Sequence, residues 1–372
     1  MTIRRPAPLA VLAALPLLAM AACGNNDRDR SRPEATSPAN HEASRLRQAI
    51  ESATFTPPAP DTDTDTGSGA NATADTSGRG GAVSGELPDQ ARPDPAMVRV
   101  QILLDRSRFS PGIVDGLGGE NTRQAIAAFE AANDMEVDGE LDAAVFDRLT
   151  SGDTARVLSD YTITEADVAG PFIGTVPDDL ADMAGLETVG YTDPLEALAE
   201  KFHMSEALLE ALNSDVDFGR AGQTIVVAST GQPALDGKVA RIVIDKAESS
   251  LRAFDADGKL LAFYPATIGS GEMPSPTGTH TVRAIAPRPN YTYDPSRVSY
   301  GEGGSKVIVP PGPNNPVGSV WIDLSKDTYG IHGTPEPAKI GKTASSGCVR
   351  LTNWDVEQLA DAVEQGVTVE FT

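Results

Sequence analysis

The chain has 372 residues, enough for two or three domains that each bury a core, and its formal net charge is −23. That charge excludes nucleic acid as a partner, because a polyanion needs a basic surface. The acidity lies upstream: residues 238–372 carry 13 Lys and Arg against 15 Asp and Glu, leaving 17 basic and 38 acidic residues before them.

Arg4 and Arg5 precede an apolar run from Leu9 to Ala22, broken only by Pro16. The run falls short of the roughly 20 apolar residues needed to span a bilayer, so an export signal is expected over 1–23. It ends Leu17-Leu18-Ala19-Met20-Ala21-Ala22-Cys23, and small residues directly before a cysteine resemble a bacterial lipobox. The resemblance implies a lipid on Cys23. With Gly24 next instead of Asp, it also implies a periplasmic protein held at the outer membrane of a Gram-negative cell. An ordinary signal peptide cut nearby is the alternative. Only Cys23 and Cys348 exist, so a lipidated Cys23 leaves Cys348 unpaired in an oxidising compartment, which points to chemistry there.

Residues 24–95 are acidic and rich in Pro, Ser, Thr and Gly, exemplified by Asp61-Thr62-Asp63-Thr64-Asp65-Thr66. Such composition cannot offset its ordering entropy, which predicts a disordered tether with an r.m.s. span of about 50 Å. A short helix over Glu42–Ala53 is compatible with the pattern.

Residues 96–152 predict three helices. Val98, Ile102 and Leu103 share the first, Asn121-Thr122 leads into Ile126 and Phe129 of the second, and Asp142 to Leu149 forms the third. Val114-Asp115-Gly116 and Val137-Asp138-Gly139 repeat one turn chemistry. With Gly119-Glu120-Asn121-Thr122, this resembles a peptidoglycan-binding domain, except that Phe129-Glu130 stands where Phe-Gln is usual. A helical spacer without ligand is the alternative. Residues 186–228 resemble a LysM module: Leu195 to Phe202 and Leu208 to Asn213 predict two helices, and Gln223 to Val227 a closing strand. His203 between the helices reads as a packing or surface residue.

From residue 238 the pattern turns to β. Val239–Asp245, Leu260–Tyr264, Thr279–Ile285, Lys306–Val309 and Val367–Phe371 read as strands, and Asp255-Ala256-Asp257-Gly258 as a turn. One helix follows the cysteine, started by Thr352-Asn353-Trp354-Asp355 and carrying Val356, Leu359, Ala360 and Val363 on one face. The expected fold is multidomain: a mainly β domain with one prominent helix, preceded by a three-helix module and an α+β module.

Within that domain, Tyr329-Gly330-Ile331-His332-Gly333-Thr334 is followed by Ser345-Ser346-Gly347-Cys348-Val349-Arg350-Leu351. A thiol of ordinary pKa is only about 3% thiolate at pH 7, and a neighbouring imidazole overcomes this by taking the proton. Glycines beside both residues let the backbone approach a substrate and aim N–H groups at an oxyanion. No second cysteine or nearby histidine completes a zinc site, so neither metal nor cofactor is expected. One His and one Cys sixteen positions apart are by themselves a weak signal.

His-Gly-Thr followed by Ser-x-Gly-Cys-Val-Arg-Leu resembles the signature of the L,D-transpeptidase catalytic domain, also called the YkuD domain. The resemblance covers residues 238–372 and includes Pro274-Ser275-Pro276-Thr277-Gly278 and the segment from Pro310 to Gly318. It implies that Cys348 attacks a peptidoglycan stem peptide to form a thioester, which an amine then resolves. It implies further that His332 is the base, oriented by the Gly333 carbonyl, and that backbone N–H groups around Gly347 and Cys348 hold the oxyanion. Arg350 would bind a substrate carboxylate, with an internal salt bridge as its alternative. Ser346 occupies the place of a second histidine common in the family, which leaves oxyanion and substrate contacts there open. The implied partners are peptidoglycan and, through Cys23, a membrane. Hydrolysis of the same thioester, by a carboxypeptidase or an enzyme releasing wall-linked proteins, uses the same pair. A non-catalytic wall-binding lipoprotein is the rival from another class.

Overall fold

The computed structural model describes residues 38–56, 92–231, 234–296 and 305–372. The expected signal segment, Cys23 and most of the expected tether lie outside the described residues.

One part of that tether departs from expectation. Pro38–Glu51 is a helix, α1, and its Ile50 is fully buried. Ala43, Leu46, Ile50 and Phe55 supply apolar contacts that the Pro- and Ser-rich average conceals. These contacts repay the ordering entropy that the composition argument assigned to the whole stretch.

The three expected helices are α2 (Pro95–Arg106), α3 (Glu120–Ala132) and α4 (Ala143–Gly152). The two Val-Asp-Gly turns close alike. Gln101 Oε1 accepts the N–H groups of Asp115 and Gly116, while Glu130 Oε2 accepts those of Asp138 and Gly139. Glu130, where Gln was the commoner expectation, therefore performs the acceptor task of Gln101 at the second turn. Strand β1 (Leu158–Thr162) comes next, then the short helices α5 (Glu165–Val168) and α6 (Leu180–Met183). Helices α7 (Pro194–Lys201) and α8 (Glu206–Leu212) lead to β2 (Thr224–Ala228), which pairs antiparallel with β1. The two helices and closing strand expected over residues 186–228 are α7, α8 and β2, and the strand that pairs with β2 is β1. That strand comes from residues 158–162, ahead of the expected window, because residues 163–193 intervene. Side chains of α1, α2, α3, α4, α7, α8, β1 and β2 share one apolar core.

The β domain contains β3 (Arg241–Asp245), β4 (Ser250–Phe254), β5 (Leu260–Pro265), β6 (Gly278–Pro287), β7 (Tyr291–Tyr293), β8 (Val307–Val309), β9 (Val320–Leu324), β10 (Gly330–His332) and β11 (Val349–Arg350). Helix α9 (Asn353–Ala362) and β12 (Thr368–Phe371) complete it. Eight strands form one sheet in the order β11-β10-β9-β6-β12-β3-β4-β5. Strand β6 joins its halves through a register shift between Val282 and Ala284, where a bulge bends the sheet. The two ends then meet: Thr267, just past β5, exchanges backbone hydrogen bonds of 2.9 and 2.8 Å with Arg350 on β11. The sheet curls around a core of Ile242, Ile244, Leu251, Val282, Ile322, Ile331, Val349 and Val369, with Val356 and Leu359 of α9 against it. Thr352 caps α9 as expected, its hydroxyl accepting the Asp355 N–H at 3.2 Å.

The β domain is joined firmly to the modules before it. Phe263 of β5 is fully buried in the upstream core, and residues 108–110 hydrogen-bond along β5 on either side of it. Burying a Phe in this way contributes roughly 1.5–3 kcal/mol, and the pairing covers a sheet edge.

Candidate active site

Strands β10 and β11 run parallel, with Ile331 opposite Val349 and His332 opposite Arg350. His332 and Arg350 are therefore directly opposite on neighbouring strands, and Cys348 immediately precedes β11. Residues sixteen apart in sequence become neighbours because the chain between them loops out and returns in parallel.

His332 is 4% exposed. Its Nδ1 lies 2.7 Å from the Gly333 carbonyl oxygen, which can only accept, so the proton sits on Nδ1 and Nε2 carries the free lone pair. Burial pulls the imidazole pKa down to about 3, helped by the charge of Arg350 and opposed by the Gly333 hydrogen bond. The ring is thus neutral at physiological pH. Trp321 of β9 stacks on it with centroids 5.4 Å apart and planes at 19°. Gly330 permits this, since a Cβ there would stand 2.5–2.8 Å from three atoms of the Trp321 ring.

Cys348 is half-buried, and its Sγ lies 3.6 Å from the Thr328 carbonyl oxygen. Burial pushes the thiol above its ordinary pKa, against the pull of a backbone hydrogen bond at Gly330 and the charge of Arg350. Thr328 has φ +71°, an outlier for a β-branched residue, at the turn beside Cys348.

Two buried serines hold the loop that presents the thiol. Ser345 Oγ donates to the Cys348 carbonyl at 2.5 Å and accepts the Gly347 N–H at 3.1 Å. Ser275 Oγ donates to the Gly347 carbonyl at 2.8 Å and accepts the Gly269 N–H at 2.9 Å. Gly347 has φ +112°, and a Cβ on it would stand 2.7 Å from the Tyr329 ring. Both its conformation and its packing therefore demand glycine.

The expected residues thus fall as follows. His332, Cys348, Arg350, Gly333, Gly347 and Ser346 gather around the β10–β11 seam, Ser346 half-buried. The Gly347 N–H, expected among the oxyanion donors, is engaged by Ser345 instead. Arg350 makes no salt bridge among the described residues, and its Nε is buried without a hydrogen-bond partner. Trp321 stacks on His332, and the Tyr329 ring lies against Gly347. His203 is buried and stacks on Trp354, as a packing residue does. Sequence reasoning missed Ser345 and Ser275 as supports. Their only signal was their presence in the quoted Ser-x-Gly-Cys and Pro-Ser-Pro segments. Among the described residues no cluster of His, Cys, Asp and Glu is suited to a metal ion.

Residues 239–370 match the family profile of the L,D-transpeptidase catalytic domain, YkuD. Residues 93–149 match that of a "Putative peptidoglycan binding domain". The chain is 31% identical over 182 residues to "Putative L,D-transpeptidase YkuD" of Bacillus licheniformis, a match spanning 48% of this chain and 94% of that protein. It is also 31% identical over 187 residues to "Probable L,D-transpeptidase ErfK/SrfK" of Escherichia coli K12, covering 48% of this chain and 59% of that one. Among solved structures, the catalytic domain of Enterococcus faecium L,D-transpeptidase acylated by ertapenem aligns at 18% identity with a TM-score of 0.30, over 36% of this chain and 98% of that one. Given a relative matched at this identity over nearly its whole length, the chain belongs to the L,D-transpeptidase family, a family of acyltransferases.

Proposed function

We propose that this enzyme forms cross-links in peptidoglycan through a thioester on Cys348, with His332 as general base. The observation that carries the reading is the 2.7 Å bond from His332 Nδ1 to the Gly333 carbonyl, which leaves the Nε2 lone pair free on the strand that pairs with the one Cys348 leads into. With the imidazole pKa lowered and the thiol pKa raised, the resting pair is neutral, not thiolate and imidazolium. Sγ therefore attacks the donor carbonyl as its proton passes to Nε2. The N–H of Cys348 serves the oxyanion, Gly347 being engaged elsewhere. The imidazolium returns its proton to the leaving amine as the C–N bond breaks, giving a thioester and a free D-amino acid. An acceptor amine then attacks the thioester and loses a proton to Nε2, which passes it to Sγ as the C–S bond breaks, releasing the cross-linked product and restoring the thiol. Arg350, with its unpartnered Nε, binds a substrate carboxylate.

The test incubates the full chain with defined tetrapeptide muropeptides and resolves products by mass spectrometry. Cross-linked dimers and a thioester adduct on Cys348 are expected, and His332→Ala and Cys348→Ala should abolish both. Tripeptide alone would establish a carboxypeptidase, and unchanged substrate a binding protein. The peptidoglycan substrate places the enzyme in the cell wall. We assign its attachment there to a lipid on Cys23, from the lipobox-like run. Cys23→Ala should then release it from the membrane fraction, and retention of that variant with no acyl mass on the native protein would refute the anchor.

A further inference from the structure

We infer that Glu200, on α7 outside the catalytic domain, is a positioning residue for His332, acting through Asn353 and Gly333. This rests on the role of His332 as base proposed above. The carbonyl that fixes the imidazole tautomer belongs to Gly333, so whatever fixes that peptide also fixes the base. Asn353, the first residue of α9, packs directly on it. A Cβ placed on Gly333 or on Gly318 would stand 2.2 Å from Asn353 Oδ1. That oxygen also accepts the Ser319 N–H at 3.1 Å. One amide oxygen thus wedges the Gly318–Ser319 turn against the peptide that follows His332.

The other end of the same amide is held from outside the domain. Asn353 Nδ2 donates to the Glu200 carboxyl at 3.1 and 3.3 Å and to the Pro313 carbonyl at 3.2 Å. Glu200 is 7% exposed and also accepts the Tyr191 hydroxyl at 3.3 Å. A buried carboxyl retained at a module boundary fits a partner whose orientation matters. An Asn side chain held at both ends cannot flip or withdraw, and this holds the Gly333 Cα packed against its oxygen, from which the carbonyl projects. Neighbouring contacts make the boundary stiff enough to transmit position. His203 stacks on Trp354 at 4.9 Å, and Ser110 bonds Asp355 at 3.0 Å. The upstream module on this view completes the catalytic site, beyond any part in binding the wall.

The test compares Glu200→Met, Glu200→Gln and Asn353→Ala in the full chain, beside His332→Ala. Acylation by a tetrapeptide donor is followed at saturating and limiting concentrations, and the Nδ1–H resonance of His332 by 15N-histidine NMR. Glu200→Met should lower the maximal acylation rate about 10- to 100-fold, the scale of an ångström's misplacement, with half-saturation unchanged and the Nδ1–H resonance shifted or broadened. Glu200→Gln, which keeps an acceptor, should stay within about threefold of native. Glu200→Met combined with Asn353→Ala should be no worse than the poorer single variant, since both act through one link. Should Glu200→Met not fold, Asn353→Ala must show the same loss and spectral change. A native maximal rate in Glu200→Met, an unmoved resonance, additive losses, or a loss confined to half-saturation overturns the inference. An active His332→Ala would instead overturn the assignment of the base.

Discussion

Ser345→Ala tests how the nucleophile is presented. The substitution removes the hydroxyl that donates to the Cys348 carbonyl at 2.5 Å and accepts from the Gly347 N–H at 3.1 Å, at a position 3% exposed. Each buried group left without its partner costs about 1–3 kcal/mol, and partial access of water lowers the pair to a total of about 2–4 kcal/mol. For a protein of this size that corresponds to a fall in Tm of roughly 3–5 °C. The effect on chemistry should exceed the effect on stability, because the freed carbonyl is that of the nucleophile itself. A drift of Sγ by about 1 Å costs about 10²-fold in rate. Thermal denaturation and the rate of Cys348 acylation by a tetrapeptide donor measure the two. Ser345→Thr keeps the hydroxyl and should restore most of the acylation rate. A Ser345→Ala enzyme with native Tm and native acylation would refute the view that this serine holds the loop.

Gly330→Ala drives a methyl group against Trp321 beneath His332 and should destabilise by about 1–3 kcal/mol while slowing acylation more than tenfold, read by the same two assays. Arg350→Lys, which cannot reproduce a guanidinium fork, should raise the donor concentration for half-saturation more than it lowers the maximal rate in steady-state kinetics. Stability should fall as pH rises from about 5 through about 8. Burial lifts Glu200 to about 8 and Asp355 to about 7, so between their unfolded and folded values the native state holds protons that the unfolded chain releases. Tm should therefore be higher at pH 5.5 than at pH 8.5, and Glu200→Gln should flatten that slope; an unchanged slope would mean that Glu200 is not its source. Ser346→Ala should keep acylation within about 10-fold of native, because the base proposed above is His332, and a larger loss would assign Ser346 a part in the chemistry.

Much of this molecule was legible in residue order because the determining interactions are local. Helices α2, α3 and α4 follow from apolar spacing, and α9 from Thr352 and the face of Val356 and Leu359. The pairing of His332 with Cys348 came from motif resemblance, since a separation of sixteen positions carries no distance information of its own. Local averages misled at Pro38–Glu51, where a few apolar residues inside polar composition find a partner surface that only the folded chain supplies. They also gave no position for the strand that pairs with β2, since β1 and β2 pair across a long intervening segment. The tautomer of His332, the engagement of Gly347 and the amide wedge of Asn353 depend on hydrogen bonds between residues far apart in sequence. Side-chain chemistry and spacing name the groups able to react. Which lone pair of His332 is free, which amide is engaged and which distant carboxyl bonds Asn353 are fixed only when the curled sheet closes and α7 packs against α9.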